Sequence, residues 1–133
     1  MKKELRFSAD LNNLDRVEKF VNSILDFVDA DERLYGNVIV AVTEAVTNAV
    51  VHGNKRDAQK EVNVQCNTSK TLIEFRIKDE GRGFDFKNIP DPTLPDNIEK
   101  IDGRGVFLIT SLADQIEFHE NGSLLEMQFN LAV

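Results

Sequence analysis

Residues 84–102 constrain the fold of this chain more than any other segment, because they contain all three of its prolines. Proline fixes φ and removes a backbone N–H donor, so Pro90, Pro92 and Pro95 argue against a helix or a central strand here. A loop of this length is uncommon inside a compact domain and is usually a lid, a binding loop or a disordered segment. We therefore expect one long loop with regular structure on either side.

Two helices are predicted before this loop. Apolar residues recur at three- and four-residue spacing over 13–29 and again over 32–52, which is typical of amphipathic helices. Asn12 or Asn13 is the expected cap of the first helix. The second helix should be mostly buried and should stop at Gly53-Asn54.

The remaining elements are predicted to be mostly strands. Polar and apolar residues alternate in five short runs, which is the period of a half-buried strand. A short helix is expected over 106–113, and Asn121-Gly122 is a hairpin turn signal. The predicted strands cover 3–8, 62–66, 72–77, 115–119 and 124–131. This order of elements predicts an α+β fold with a mostly antiparallel sheet.

The composition favours one domain that binds proteins rather than nucleic acid. A chain of 133 residues, 41% of them hydrophobic, is long enough for one core and too short for two, so we expect a single domain over 1–133. Asp and Glu outnumber Lys and Arg by 23 to 16, giving a net charge of -7. Nucleic acids are bound largely through Lys and Arg. A basic protein surface is therefore the better expected partner.

The sequence also limits where the protein acts. We expect no membrane span, since no apolar run approaches roughly 20 residues. The first ten residues lack the apolar core of a signal peptide, which favours a cytoplasmic location. Cys66 is the sole cysteine, so an internal disulfide or a cysteine-based zinc site is excluded.

The first group of candidate site residues lies on the second predicted helix. Glu44, Asn48 and His52 are spaced by four residues, so each lies only about 40° further around the helix axis than the one before. They should share one face, roughly opposite the main apolar stripe. Alone, this pattern also fits a solvated stripe. Val40 and Val51 stand on the same side, which suits the rim of a pocket better than open water.

Two glycine-rich segments supply the other candidates. Asp79-Glu80-Gly81-Arg82-Gly83 follows a predicted strand, where a carboxylate can accept a hydrogen bond from an exocyclic amine while glycines let a ligand approach the backbone. Gly103-Arg104-Gly105 precedes the predicted helix over 106–113, and a helix N-terminus offers free N–H groups to phosphate. Taken singly, the two segments also fit a turn and a loop-to-helix junction. No Walker A or Gly-x-Gly-x-x-Gly segment is present.

In this order, the three groups resemble the motifs of the GHKL (Bergerat-fold) ATPase superfamily, and most closely those of its anti-sigma-factor serine/threonine kinases of the RsbW type. Glu44-Ala-Val-Thr-Asn48-Ala-Val-Val-His52-Gly53 is similar to the N box. Asp79 to Gly83 is similar to the first glycine box, and Gly103 to Leu108 to the second. The resemblance implies a two-layer α/β sandwich, with a mixed, mostly antiparallel sheet and helices on one face.

The resemblance also implies residue roles. Asn48 would bind Mg²⁺ through its side-chain oxygen, Asp79 would bind the adenine amine, and Glu44 would be the general base that orients a serine hydroxyl. Residues 84–102 would be the ATP lid. Arg104 would either stabilise the transferred charge or point to solvent. The glycines expected to shape the ATP pocket are Gly81, Gly83, Gly103 and Gly105.

The chain departs from the family pattern just before the second glycine box. Family members often carry a basic residue there, whereas this chain has Ile101 and Asp102, leaving Lys100 or Arg104 to compensate. His52 is expected to finish the helix and pack under the lid rather than to act in catalysis. A complete histidine kinase is not expected, because neither His52 nor His119 lies in a phosphoacceptor context.

The predicted function is therefore an ATP- and Mg²⁺-dependent protein kinase that is also an anti-sigma factor. Its expected partners are an anti-anti-sigma (STAS-domain) protein, which it would phosphorylate, and a sigma factor, which it would sequester. The alternative is a nucleotide-gated binding module that transfers no phosphate. A further alternative is the same kinase chemistry on a regulator unrelated to sigma factors. The sequence leaves open whether the protein is a homodimer.

Overall fold

A computed structural model describes residues 1–81 and 101–131. Its five strands form one sheet in the order β1-β2-β3-β5-β4. All four strand pairings in the described part are antiparallel, so the α+β class is confirmed, but the parallel component expected of a mixed sheet is not seen there. The strands are β1 (Lys2–Ser8), β2 (Glu61–Thr68), β3 (Leu72–Lys78), β4 (Gln115–His119) and β5 (Leu124–Asn130).

The two faces of the sheet differ in character. Side chains on one face are buried and apolar, whereas those on the other, such as Gln65, Arg76 and Gln128, are polar and partly exposed. The buried face forms the core with the helices, and in its centre Phe75 and Phe129 meet edge to face, 6.4 Å between ring centroids. This alternation of polar and apolar residues explains why the described helices cover one face of the sheet.

In the described part of the chain, three α-helices lie side by side in sequence order: α1 (Leu14–Phe27), α2 (Glu32–Asn48) and α3 (Ile101–Leu112). α2 contacts both of the other helices. Its buried residues are Val38, Val42 and Val46, as the sequence predicted, together with Ala41 and Ala45. The helix that carries Glu44 and Asn48 is thus the central one of its layer.

The chain continues beyond α2 in a π-helical turn, Ala49–Gly53. Together α2 and this turn span 22 residues with a mean hydropathy of 1.4 in their most apolar window, a length and composition that membrane spans and core helices share. The buried stripe facing the sheet is that of a core helix of a globular domain.

The start of α1 differs from the prediction. Asn13 is the residue before the helix, but its side chain makes no capping hydrogen bond. Its Nδ2 donates instead to the Ser8 carbonyl oxygen at 2.9 Å. The capping carboxylate belongs to Asp10, which accepts from the Asn12 N–H at 2.9 Å and begins a short 3-10 turn, Leu11–Asn13, ahead of α1. The predicted cap position, Asn13, is therefore confirmed, but its side chain does not make the capping bond.

α3 begins five residues earlier than predicted, at Ile101 rather than 106. Gly103 and Gly105 lower helix propensity by about 1 kcal/mol each but do not forbid helical dihedrals. The last proline, Pro95, lies well before this point. Residues 101 and 102, assigned to the lid from the sequence, consequently belong to the first turn of α3, and the rest of the predicted lid lies outside the described residues.

Candidate functional site

The end of α2 presents the first group of predicted site residues. Glu44 and Asn48 are both half-buried, and Val40, one turn before Glu44, is 40% exposed. This face therefore lies at a rim rather than in the core, as the spacing predicted. The π-helical turn then changes the rotation per residue, so the four-residue spacing of a regular α-helix does not extend to His52. His52 is half-buried in that turn.

Asp79 lies directly after β3 and is almost completely buried, with 6% of its surface exposed. Its backbone N–H donates to the Ser123 carbonyl oxygen at 2.9 Å, which ties it to the turn before β5. Its Oδ1 accepts from the Gly81 N–H at 2.7 Å. The backbone of Asp79 is thus held by Ser123, and its carboxylate is held by Gly81.

The pKa of the Asp79 carboxyl is raised above its ordinary value. Burial is the main cause, because it removes the charged form from water. The Gly81 N–H and the charge of Lys60 oppose the effect in part. A buried carboxylate whose pKa is perturbed in this way is a common feature of binding sites.

Two glycines allow the carboxylate to lie where it does. A Cβ atom on Gly53 would lie 2.2 Å from Asp79 Oδ2, and one on Gly81 would lie 1.9 Å from the Gly53 carbonyl oxygen. Any side chain at either position would displace its neighbour. Gly81 was predicted as a pocket residue, whereas Gly53 was predicted to end the helix and to be the last residue of the N box, with no role beside Asp79. Its place in the N box is the sequence signal that could have indicated such a role.

Asn48 and Asp79 meet at one small cavity of about 20 Å³. Ile109 of α3 and Gly122 of the turn before β5 also line it, so α2, β3, α3 and that turn converge there. Its volume is enough for about one water molecule. The other residues lining it are apolar: Ala45, Ala49, Ile77, Phe118 and Leu125.

A larger cavity of about 400 Å³ lies elsewhere, on the polar face of β1, β2 and β3. It contains none of the predicted site residues and is lined by polar and charged side chains of the strands, including Lys3, Gln65 and Arg76. The small cavity is the better candidate despite its size, because it unites the two motifs that the sequence analysis singled out.

The second glycine segment is placed differently from the prediction. Gly103, Arg104 and Gly105 lie within α3 rather than ahead of it, with Gly103 in the first turn and Gly105 in the second. The free N–H groups of a helix belong to its first turn, which includes Gly103. Gly83 and Lys100 lie outside the described residues.

A group of possible metal ligands in the described residues lies away from Asn48. His119 Nε2 is 3.5 Å from a Glu126 carboxylate oxygen and 3.8 Å from one of Glu117, on the partly exposed face of β4 and β5. It shares no residue with the predicted Mg²⁺ site.

Comparison with known proteins agrees with these motifs. Residues 7–129 match the histidine kinase-like ATPase domain family. The chain belongs to this family, in its RsbW branch. A Staphylococcus aureus (strain JH9) protein named serine-protein kinase RsbW is 35% identical, over 93% of this chain and 83% of that protein.

Other relatives of this RsbW-type chain match over a shorter stretch. The protein of the same name from Oceanobacillus iheyensis is 34% identical over 66% of this chain and 60% of its own length. The one from Listeria innocua is 30% identical over 60% of this chain and 55% of its own length. The chain thus spans rather more than half of these two relatives.

A solved structure shows the same fold. The RsbU and RsbW domains of Rv1364c from Mycobacterium tuberculosis superpose with a TM-score of 0.67 and 16% identity, covering 98% of this chain and 32% of that one. The likeness supports the Bergerat-type α+β architecture of the RsbW-type chain.

Proposed function

We propose that the protein is an ATP-dependent serine/threonine kinase and anti-sigma factor. It phosphorylates a serine of an anti-anti-sigma (STAS-domain) protein and otherwise sequesters a sigma factor. The observation that carries the proposal is the convergence of Asn48 and Asp79 on one cavity beside α3. The names of the RsbW relatives support the kinase reaction.

Asp79 suits the recognition of adenine. Its carboxylate lines an apolar cavity, where a hydrogen bond from the exocyclic amine is charge-assisted and strengthened by the low local polarity. Ile77, Ile109 and Leu125 put apolar surface beside the carboxylate, and a purine could occupy this place only if these walls move apart, because the cavity holds about one water molecule. Gly53 and Gly81 keep the carboxylate in place, since any side chain on either would collide with its surroundings.

The donor set at the end of α2 fits Mg²⁺. Asn48 offers an amide oxygen and makes no side-chain capping hydrogen bond at the helix end. Such an oxygen is a hard donor of the kind that Mg²⁺ prefers, whereas Glu44, one turn earlier, would act beside the ion without binding it. Asn48 would hold the ion, which when bound neutralises charge on the phosphates.

Glu44 is the proposed general base. It is half-buried one turn before Asn48, on the rim that a partner's serine would have to reach. It accepts the hydroxyl proton as the serine oxygen bonds to the γ-phosphorus and the bond to the ADP oxygen breaks. Phosphate charge would be stabilised by the first turn of α3, and Arg104 would either add to this or point to solvent.

The second candidate function is a nucleotide-gated binding module without phosphoryl transfer. The observation that favours it is the pair Ile101 and Asp102, since a basic residue that family members often carry is missing from the start of α3.

Replacement of Glu44 distinguishes the two. We expect Glu44→Ala to bind Mg·ATP nearly as tightly as wild type but to transfer phosphate about 10² to 10⁴ times more slowly, the contribution of a positioned base. The measurement is label transfer from γ-labelled ATP to the serine of a partner protein isolated by pull-down, with calorimetry for binding. Asn48→Ala is the contrasting variant and should lose Mg²⁺-dependent binding as well. A wild-type protein that binds ATP and the partner but never labels it would establish the module instead.

A further inference from the structure

Asn54, the first residue after the π-helical turn, is a fully buried polar side chain. Its Nδ2 donates to the Glu61 carbonyl oxygen at 3.0 Å, where β2 begins. Its Oδ1 accepts from the Glu80 N–H at 2.8 Å, directly after Asp79. Its own backbone N–H donates to the Ala49 carbonyl oxygen at 2.8 Å. One residue thus joins the end of α2 to the start of β2 and the end of β3.

The bond to Glu80 completes the support of the Asp79 loop. The N–H of Asp79 is bound by Ser123, that of Glu80 by Asn54, and that of Gly81 by the Asp79 carboxylate itself. The Glu80 side chain adds a further link, because its carboxylate accepts from the Glu61 N–H. Of these contacts, the one from Asn54 is the direct side-chain link between the helix that carries Asn48 and the peptide that carries Asp79.

We propose that Asn54 is a positioning residue for nucleotide recognition. It sets the distance between the metal-binding end of α2 and the adenine-binding Asp79 without touching the nucleotide, and so governs the affinity for ATP and the preference for an adenine base. This inference rests on the proposed function, since it needs Asp79 to bind the adenine amine. A buried polar group that is fully hydrogen-bonded restricts its neighbours to one arrangement.

The experiment compares variants that keep or remove the bond to Glu80. Asn54→Ala removes both side-chain bonds, whereas Asn54→Asp retains an acceptor for the Glu80 N–H and loses the donor to Glu61. We expect Asn54→Ala to weaken ATP binding about three- to tenfold, the effect of one lost hydrogen bond. It should also raise KM for ATP while kcat changes less. Asn54→Asp should retain more of the wild-type affinity than Asn54→Ala.

Base preference provides a readout that loss of stability alone would not change. Calorimetry with ATP and with ITP, which has an oxygen in place of the amine, should show that the preference of the wild type for ATP shrinks in Asn54→Ala. Asn13→Ala is the matched control, because Asn13 also donates from Nδ2 to a backbone carbonyl oxygen but lies at the start of α1. It should keep the wild-type preference.

Amide exchange in the nucleotide-free protein tests whether Asn54 holds the Glu80 peptide in place. The Glu80 N–H should exchange faster in Asn54→Ala, whereas N–H groups in the middle of β2 should be unchanged. If a folded Asn54→Ala keeps the preference for ATP, the inference about Asn54 is wrong but the proposed function is not affected. An equal loss of that preference in Asn54→Asp and Asn54→Ala has the same consequence. A wild-type protein that does not distinguish ATP from ITP overturns the adenine site on which the inference rests. If Asn54→Ala does not fold, the preference for ATP over ITP is compared between Asn54→Asp and Asn13→Ala instead.

Discussion

Asp79 shows how a residue proposed to bind a ligand can lower the stability of the ligand-free protein. Its carboxylate is buried, and burial raises its pKa. The folded protein therefore binds a proton at Asp79 more readily than the unfolded chain does. The free energy of unfolding falls as the pH rises from the unfolded pKa of about 3.9 through the raised folded pKa. Above that range, the whole cost of burying the charge is present.

Asp79→Asn should consequently stabilise the nucleotide-free protein at pH 7. The amide oxygen can still accept from the Gly81 N–H, but the buried charge is gone. We expect the gain to shrink as the pH is lowered through the raised pKa, because wild-type Asp79 then becomes neutral too. Urea unfolding at pH 7 and at a series of lower values measures this.

Asp26→Asn is the control for that comparison, since Asp26 is exposed near the end of α1. Its effect on the free energy of unfolding should be small. A nucleotide-free Asp79→Asn that is less stable than wild type at pH 7 would contradict the view that burial of the charge dominates at this position.

At the scale of elements, the site depends on how α2 ends. Lys55 and Arg56 both have left-handed backbones, φ 54° and 58°, which turn the chain back so that the Arg56 N–H donates to the Val50 carbonyl oxygen at 2.8 Å. Just before this return, Gly53 lies against Asp79. The end of the helix and the end of β3 thus fit together only without a side chain at position 53.

The two glycines of this long helix should therefore respond in opposite ways to alanine. Gly53→Ala should destabilise the protein by about 1–3 kcal/mol, since its Cβ would overlap the Asp79 carboxylate. Gly36→Ala, with nothing within 4 Å of its Cβ, should stabilise it by about 0.5–1 kcal/mol, the usual gain in a helix interior. Thermal and urea unfolding of both variants is the measurement. Equal effects of the two changes would mean that helix propensity alone decides both positions.

The same element shows what could be predicted from the sequence. The strands and the buried face of α2 follow from periodicity, and each strand was predicted to within two residues. Glu44 and Asn48 could be placed on one face from their spacing. The π-helical turn, the contact of Gly53 with Asp79 and the start of α3 could not, because they depend on contacts between distant residues or on weak local preferences.

For the whole molecule, the order of strands brings the site together. β3 lies between β2 and β5, so the residues that follow it are held by the turn before β5 on one side and by the start of β2 on the other. Asp79 is therefore fixed by pairings between strands that are far apart in the chain. Such long-range contacts form with the fold as a whole, which couples the shape of the site to global stability.

This coupling predicts a reversal of stability order on nucleotide binding. A ligand at 100 times its Kd raises the free energy of unfolding by about 2.7 kcal/mol. If Asp79→Asn weakens ATP binding about tenfold to a hundredfold, as loss of a charge-assisted hydrogen bond implies, the same concentration stabilises the variant by only about 0.4–1.4 kcal/mol. Asp79→Asn should then unfold at a higher temperature than wild type without nucleotide and at a lower one with Mg²⁺ and a non-hydrolysable ATP analogue.

Glu44→Ala is the control for this reversal of stability order. It keeps the proposed binding residues, so the analogue should raise its unfolding temperature nearly as much as that of wild type. Differential scanning calorimetry of the three proteins, with and without the analogue at one fixed concentration, makes the comparison. Equal ligand-induced shifts in wild type and Asp79→Asn would remove Asp79 from the nucleotide site, because a residue that binds the base cannot lose its charge without changing the ligand's preference for the folded state.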